Sequence, residues 1–409
     1  MSSDNGTITI AGGTYHEVCL HPGNHQVYGS AGRAASALAT FGVNVELCTY
    51  ADDVVGSVIR DRAHFENFTL NVHSVQESVT FHYEHGLAEP RIFNQPDNPY
   101  PSMMITAPYV LRYGMLEGSA VVDADYAVYD PQNVTNPEPF TANGSKAQHL
   151  ALILNCYEAR ALSGKSELSD QQQAEFLYNN GHAEVIIIKQ GPAGALIFDR
   201  GVISHIPAYE TSYIHKIGSG DVFVAYFAYE WMINKKTAHE AANQASLTTA
   251  FYCENGLFPS FVGLAEFNPN PIKLSQNFIE GGNRKVYLAG PFFTLAQLWL
   301  VEQAQRNLTA LGMDVFSPYH RVGHGTAEEV VEKDLDAIRQ ADVVFAIGDA
   351  LDSGTIYEVG YARARDIPVV FYAENESEGD LKMMEGSGCI LSTDYVTAIY
   401  KTLWVVAQK

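Results

Sequence analysis

Positive charge is what this sequence has least of for its size. Across 409 residues, 25 Lys and Arg stand against 47 Asp and Glu, a net charge of −22. Nucleic-acid binding needs clustered Lys and Arg, so that class is excluded. Small anions are not, because a single local Arg can hold one. Cysteine is sparse too: five residues, at 19, 48, 156, 253 and 389, with no Cys-x-x-Cys pair. That scatter fits a reduced, cytoplasmic protein better than a disulfide scaffold. No apolar run approaches the length of a membrane span. The opening "MSSDNGTITIAGG" lacks a basic stretch followed by an apolar one, so no secretory leader is expected. Internal repeats and low-complexity tracts are absent.

Histidines cluster without a convincing metal pattern. His16, Cys19, His21 and His25 surround Pro22-Gly23, which reads as a loop with incidental histidines rather than a site. His82 and His85, three apart in an expected strand, point to opposite faces. No metal site is expected from either group.

What the chain does have is an ordinary globular mix, 46% hydrophobic and 18% charged, at a length that suggests two domains. Short β-branched runs alternate with helical patterns throughout: "TITIAGG", "AEVIIIKQG", "GALIF", "RKVYLAG", "ADVVFAIG", "IPVVFYA". Such alternation predicts βαβ units and mainly parallel sheets. Continuous apolar strands such as Val185–Ile188 predict sheets buried on both faces. Asn, Pro and Gly crowd the stretch before Arg284, so a linker is placed at 266–284, between domains at 1–265 and 285–409. The region 64–112 alternates weakly and carries Pro90, Pro96, Pro99 and Pro101. It is expected to form an antiparallel lid or a partner-facing sheet.

In the C-terminal domain three strand ends matter. "KVYLAG" leads into Gly290, Pro291, Phe292 and Phe293. "MDVFSP" leads into Tyr319, His320 and Arg321. "ADVVFAI" leads into Gly348 through Gly354. Ligands of an open parallel sheet sit outside the carboxyl ends of its strands, so these loops should share one edge. Glu358 follows the third loop and is expected in a first helical turn, where the helix dipole keeps a carboxylate ionised. "AEEVVEKDLDAIRQAD" is amphipathic, and Asp334 is expected on the inward stripe of Val331, Leu335 and Ile338. An inward carboxylate is costly unless paired or working.

"YLAGPFF", "DLDAI" and "DSGTIYEVGYA" together resemble the nucleoside 2-deoxyribosyltransferase family, which includes related N-glycosidases. The resemblance implies that Glu358 attacks the anomeric carbon of a nucleoside or nucleotide. It implies that Asp334 and Asp352 handle the base and its proton, and that Tyr287 positions the nucleophile. The loop Gly290-Pro291-Phe292, with Gly354, would shape the sugar site. The loop is of the transferase type rather than the phosphate-binding type, while His320 and Arg321 are candidates to hold a phosphate. Breaking an N-glycosidic bond builds positive charge on the sugar, which a carboxylate stabilises or captures while a protonated carboxyl assists the base. No cofactor is required for that chemistry. Homo-oligomerisation is expected from the resemblance alone.

In the N-terminal domain "IGSGDVFVAYFAYEWM" reads as a glycine-rich turn into a helix, with Phe223, Phe227 and Trp231 as core. Free N–H groups at Gly218, Ser219 and Gly220 would form an anion hole. Asp221 beside them is placed to deprotonate a hydroxyl. "YGSAGRAASALATFG", "CTYADDVVG", "NCYEARAL", "IIIKQGPAGALIF" and "AANQASLTTAFYCENG" join that turn in resembling the ribokinase or PfkB family of sugar and nucleoside kinases. The resemblance implies a ribokinase-like fold, with ATP and Mg2+ as cofactors. Asn155 and Glu158 would handle magnesium and phosphate, Gly191 the nucleotide, and Asp221 would act as base. Gly29 falls in the sugar turn, and Glu17 stands where the family's first strand carries an Asp. The chain departs from the family at His215-Lys216-Ile217, where Asp-Thr-Thr is usual, and at Arg33, which stands near the family's Asn. A guanidinium prefers phosphate or carboxylate to a neutral diol, so this domain is expected to bind an already phosphorylated sugar or a nucleotide.

The expected architecture is therefore α/β in two domains, a ribokinase-like sandwich followed by a Rossmann-like parallel sheet. The leading function is N-glycosidic cleavage or base exchange, with a kinase-like half that phosphorylates or binds a related ligand. One alternative is an effector that depletes nucleotide or NAD, with the kinase-like half as sensor. Another is an inactive scaffold. The acidic surface gives solubility or meets a basic protein partner.

Overall fold

Val185, Ile186, Ile187 and Ile188 are all buried to within 1%, and alternate members of the run enter different cores. Val185 and Ile187 pack in one apolar cluster, Ile186 and Ile188 in another. This is what a strand covered on both faces requires. The computed structural model describes residues 6–133, 136–282, 284–323 and 326–409. Two units emerge, 1–211 with 215–271, and 212–214 with 272–409.

The first unit is built on a ten-stranded sheet. Its order is Val202–Ile206, Ala195–Asp199, Val185–Lys189, Lys146–Asn155, Ala120–Asp130, Tyr109–Tyr113, Ile8–Ala11, Val45–Ala51 and Thr69–Ser74, with Met103–Thr106 beside Ala120–Asp130. All pairings are parallel except the two that link the strands from 185 to 206. The helices Gly29–Thr40, Ser219–Ala228 and Ala238–Asn255 contribute to one core, Cys156–Ser163 and Asp170–Asn179 to the other. Phe223, Phe227 and Trp231 are buried, as expected. A separate four-stranded sheet joins Asn24–Val27, His16–His21, Thr80–His85 and Arg91–Phe93. It is mixed rather than wholly antiparallel: Thr80–His85 pairs antiparallel with Arg91–Phe93, as expected within 64–112, and parallel with His16–His21. Glu17 belongs to this small sheet, not to the first strand of the large one.

The second unit has five parallel strands in the order Asp314–Phe316, Lys285–Ala289, Val343–Ile347, Val369–Tyr372 and Ile390–Ser392. The chain moves to one side of Lys285–Ala289 first and then to the other. Its topological switch point therefore lies between Lys285–Ala289 and Val343–Ile347, where open α/β sheets bind ligands. The helix Tyr395–Ala407 is apolar along most of its length and nearly all buried, and Asp394 caps it by accepting from Thr397 N at 2.7 Å. The stretch 266–284 carries a short helix, Gln276–Ile279, whose Phe278 is buried under Arg284, 3.8 Å from the ring centroid. Among the described residues no helix is long and apolar enough to cross a membrane.

Candidate functional site

At the switch point Tyr287, buried in the strand Lys285–Ala289, donates its phenol to Glu358 Oε1 at 2.6 Å. Glu358 is the sixth residue of the helix Ser353–Arg363. This corrects the first-turn expectation. The cap is Asp352, which accepts from Thr355 N at 2.9 Å and Thr355 Oγ1 at 3.2 Å, so the dipole acts on Asp352. Glu358 answers to burial instead. Desolvation pushes its carboxyl up to about 7, the Tyr287 hydrogen bond opposes that rise, and the charges of Asp334 and Asp352 add to it. Burial beside Glu358 likewise holds the Tyr287 phenol above its usual range.

Asp334 lies on the helix Ala327–Gln340 and is half-buried. Val331 is 45% exposed, so the inward row is Leu335 and Ile338, with Asp334 at its margin. The stripe expected from the sequence fails because the helix turns Val331 to solvent. Asp334 Oδ1 is nonetheless enclosed, with no hydrogen-bond partner among the described residues, and burial raises its carboxyl. Its charge acts on both Tyr287 and Glu358. Three carboxyls and one phenol therefore share one electrostatic neighbourhood.

The loops close around them. A Cβ on Gly290 would stand 3.0 Å from Ile347, and one on Gly354 3.1 Å from Asp352 Oδ2. Pro291 is buried, and Phe292 rests its ring 5.4 Å from that of Tyr319. Before Asp352 the chain passes through Ala350 and Leu351 at φ +56° and +47°. Two successive left-handed non-glycine residues are strained, and such strain is concentrated where a side chain must be aimed. His320 and Arg321 point elsewhere. His320 Nε2 meets Glu302 Oε1 at 3.1 Å, and Arg321 Nη2 donates to Asp314 Oδ1 at 3.3 Å.

In the first unit Asp221 opens the helix Ser219–Ala228 behind Gly218, whose φ is +80°. Arg33, 1% exposed, donates to Glu17 from both terminal nitrogens and to Asp221 Oδ2 at 3.2 Å. Gln132 Nε2 donates to Asp221 Oδ1 at 2.8 Å. Arg33 thus meets carboxylates of its own chain, where the sequence suggested a phosphorylated ligand. Gly29 takes φ +61°, and a Cβ there would lie 2.5 Å from Gly13 O. Ser219 N donates to Lys216 O at 3.1 Å, so one of the expected anion-hole donors is already engaged. Gly220 lies beside Lys189, and Lys216 Nζ is 3.4 Å from Ser219 Oγ. Asn155 and Glu158 form a capping box on the helix Cys156–Ser163. Burial and the charge of Asp130 push Glu158 up to about 7, with Lys189 opposing. Gly191, at φ +57°, starts the turn between two antiparallel strands.

Sequence reasoning missed several residues here. Lys189 Nζ donates to Asp130 Oδ2 at 2.6 Å. Burial opposes that ammonium, yet Asp130 and Glu158 hold it above its usual range. The signal was available, since Asp130 ends an apolar strand just before Pro131, at the ligand edge of a parallel sheet. Glu117 is wholly buried, accepts from Tyr15 Oη at 3.1 Å, and leaves Oε1 without a partner among the described residues. Burial pushes its carboxyl up to about 7. Nothing in the local pattern "YGMLEGS" marks it.

Comparison with known proteins matches these two halves separately. The family model described as pfkB family carbohydrate kinase matches residues 138–256, and that described as nucleoside 2-deoxyribosyltransferase matches residues 286–391. Comparison with curated proteins gives no match. Among solved structures, a fructokinase from Vibrio cholerae O395, bound to fructose, ADP and calcium ion, is 14% identical at a TM-score of 0.50, covering 65% of this chain and 99% of its own. A ribokinase from Thermotoga maritima is 16% identical at a TM-score of 0.49, covering 64% of this chain and 99% of its own. A nucleoside kinase from Methanocaldococcus jannaschii is 15% identical at 0.48, covering 64% and 97%. At such identities the fructokinase likeness shows the fold alone. From its N- to its C-terminal half, the chain joins a pfkB-family kinase-like domain to a nucleoside 2-deoxyribosyltransferase-family domain.

Proposed function

We propose that the second unit breaks the N-glycosidic bond of a nucleoside or nucleotide through Glu358, passing the sugar to water or to a second base. The 2.6 Å hydrogen bond from Tyr287 to Glu358, inside a desolvated group that includes Asp334 and Asp352, carries this reading. An ionised Glu358 oxygen attacks the anomeric carbon as the C–N bond breaks, and the bond's electrons leave with the base nitrogen. Asp334, whose carboxyl burial raises, supplies the proton to that nitrogen. Water or an incoming base then attacks the anomeric carbon, returning the electron pair to Glu358 and a proton to Asp334. Tyr287 fixes which Glu358 oxygen faces the sugar. Asp352 is tied to Thr355 at the helix mouth. His320 and Arg321 reach a phosphate only by leaving Glu302 and Asp314, so their geometry favours a substrate without a phosphate at that position.

For the first unit the family match supports a nucleotide cofactor. Lys189 and Lys216, beside the helix start at Gly218–Asp221, would hold its phosphates, and magnesium bound through those phosphates would supply charge neutralisation. The contact between Arg33 and Asp221 favours the reading in which this half recognises a ligand and regulates its neighbour.

The test is direct. The full chain is incubated with deoxynucleosides, nucleoside monophosphates and NAD, with and without ATP, and free base is followed by chromatography. Release that Glu358→Ala abolishes supports the proposal. Release only in the presence of an added ligand supports the regulated form. No release from any substrate under either condition overturns the enzymatic reading.

A further inference from the structure

Phosphoryl transfer to a hydroxyl needs a base with a lone pair aimed at the acceptor. Asp221 is the residue in that position by family likeness, and both of its oxygens are engaged. Oδ2 accepts from Arg33 Nη1 at 3.2 Å and Oδ1 from Gln132 Nε2 at 2.8 Å. Gln132 is itself held, its Oε1 accepting from Ser30 Oγ at 2.5 Å. The guanidinium also donates to both oxygens of Glu17, and Tyr252 makes a further side-chain hydrogen bond with it. The carboxylates that would grip and deprotonate a neutral sugar thus converge on one arginine.

That arginine is built in rather than swung in from the surface. It is 1% exposed, and its partners' side chains are 10% and 13% exposed. Its Nε lies against Gly218, where a Cβ would come within 2.0 Å of it. No other residue type leaves room at position 218. Tyr83, from the strand Thr80–His85, lies close enough to feel the charges of Glu17, Asp221 and Arg33 together.

We propose that Arg33 is an internal counter-ion filling the acceptor position, so that the kinase-like domain, as folded, transfers no phosphate to a neutral polyol. The inference rests on the pfkB-like reading of the first unit and is independent of the glycosidic chemistry of the second. Its consequence is mechanical as well as chemical. A working base is dispensable to the fold, whereas one member of a buried ion triad is not, because its loss leaves a partner's charge unmatched.

Two measurements on the full chain test it. In the first, wild type and Asp221→Asn are given ATP, magnesium and a panel of pentoses, hexoses, inositol and nucleosides, and phosphoester is followed by phosphorus NMR. The expected result is no phosphoester from wild type above the Asp221→Asn level. In the second, urea midpoints are compared for Arg33→Met, Asp221→Asn and the double variant. The expected result is a double-variant shift smaller than the sum of the single shifts. Phosphoester made by wild type and lost in Asp221→Asn overturns the proposal, and so do additive shifts. If Arg33→Met does not fold, Arg33→Lys replaces it in the same cycle, with the same two outcomes. Failure here reads as phosphoester or additivity, and failure of the glycosidic proposal reads as absence of free base, so the two are distinguishable.

Discussion

Tyr287 and Asp352 act on Glu358 in opposite senses. The phenol donates to the carboxylate and so favours its ionised form, while the Asp352 charge disfavours it. Burial is the larger influence and sets the carboxyl near 7. A nucleophilic carboxylate must be ionised, so kcat/KM for base release should rise with pH and reach its midpoint near 7. Tyr287→Phe removes the donor and should move that limb to higher pH, with a rate loss of about 10²-fold. Asp352→Asn keeps a capping side chain but removes the charge, and should move the limb to lower pH. Glu358→Ala should lower kcat by roughly 10⁴-fold or more, since it removes the proposed nucleophile. Steady-state pH profiles of the four proteins check all of this. Shifts of Tyr287→Phe and Asp352→Asn in the same direction would sink the assignment of their roles.

Elements hold those residues in place, and Gly348 is a tight joint among them. It ends the strand Val343–Ile347, and its N–H bonds Tyr372 O at 2.7 Å. A Cβ there would sit 2.4 Å and 2.6 Å from two Phe371 ring carbons. Gly348→Ala should therefore cost about 1–3 kcal/mol by overpacking and shift the loop that aims Asp352. Adding Phe371→Leu should return part of that stability, as urea midpoints would show. This element scale is also where the sequence was most informative. Runs such as "KVYLA" and "VVFAI" are apolar on both faces, so their parallel pairing was legible, as was the gathering of Gly290 and Gly354 at one sheet edge. Less legible was anything decided by rotation or by distance along the chain. Whether Glu358 or Asp352 takes the helix mouth turns on where the helix begins, and the strained pair Ala350 and Leu351 settles that. Val331 and Asp334 are three residues apart, yet a small rotation of their helix exposes the first and encloses part of the second. Arg33 meets a residue 188 positions away. No local pattern encodes such a contact, and the sequence supplied only the chemistry of what an arginine prefers.

At the scale of the whole molecule, charge and burial act on stability in the same direction. Glu117, Glu158 and Glu358 each have carboxyls pushed up to about 7 in the folded chain, against an unfolded value of about 4.3. Between those two values the folded state binds more protons than the unfolded one, so stability falls as pH rises through that window and levels off above it. For Glu117, wholly buried with one oxygen unpartnered among the described residues, the penalty approaches about 3 kcal/mol at neutral pH. The net charge of −22 adds self-repulsion that also grows as pH rises. The first urea midpoint should therefore be higher at about pH 5.5 than at about pH 7.5. Glu117→Gln should flatten that slope, because an amide has no charge to bury. Salt separates the two causes. Raising ionic strength from about 0.01 M to about 0.15 M shortens the screening length from about 30 Å to about 8 Å. It should raise the midpoint at pH 7.5 in wild type and Glu117→Gln alike, since surface repulsion is screened and a buried carboxylate is not. A slope that survives added salt and the combined Glu117→Gln, Glu158→Gln and Glu358→Gln changes would assign the pH dependence to neither cause.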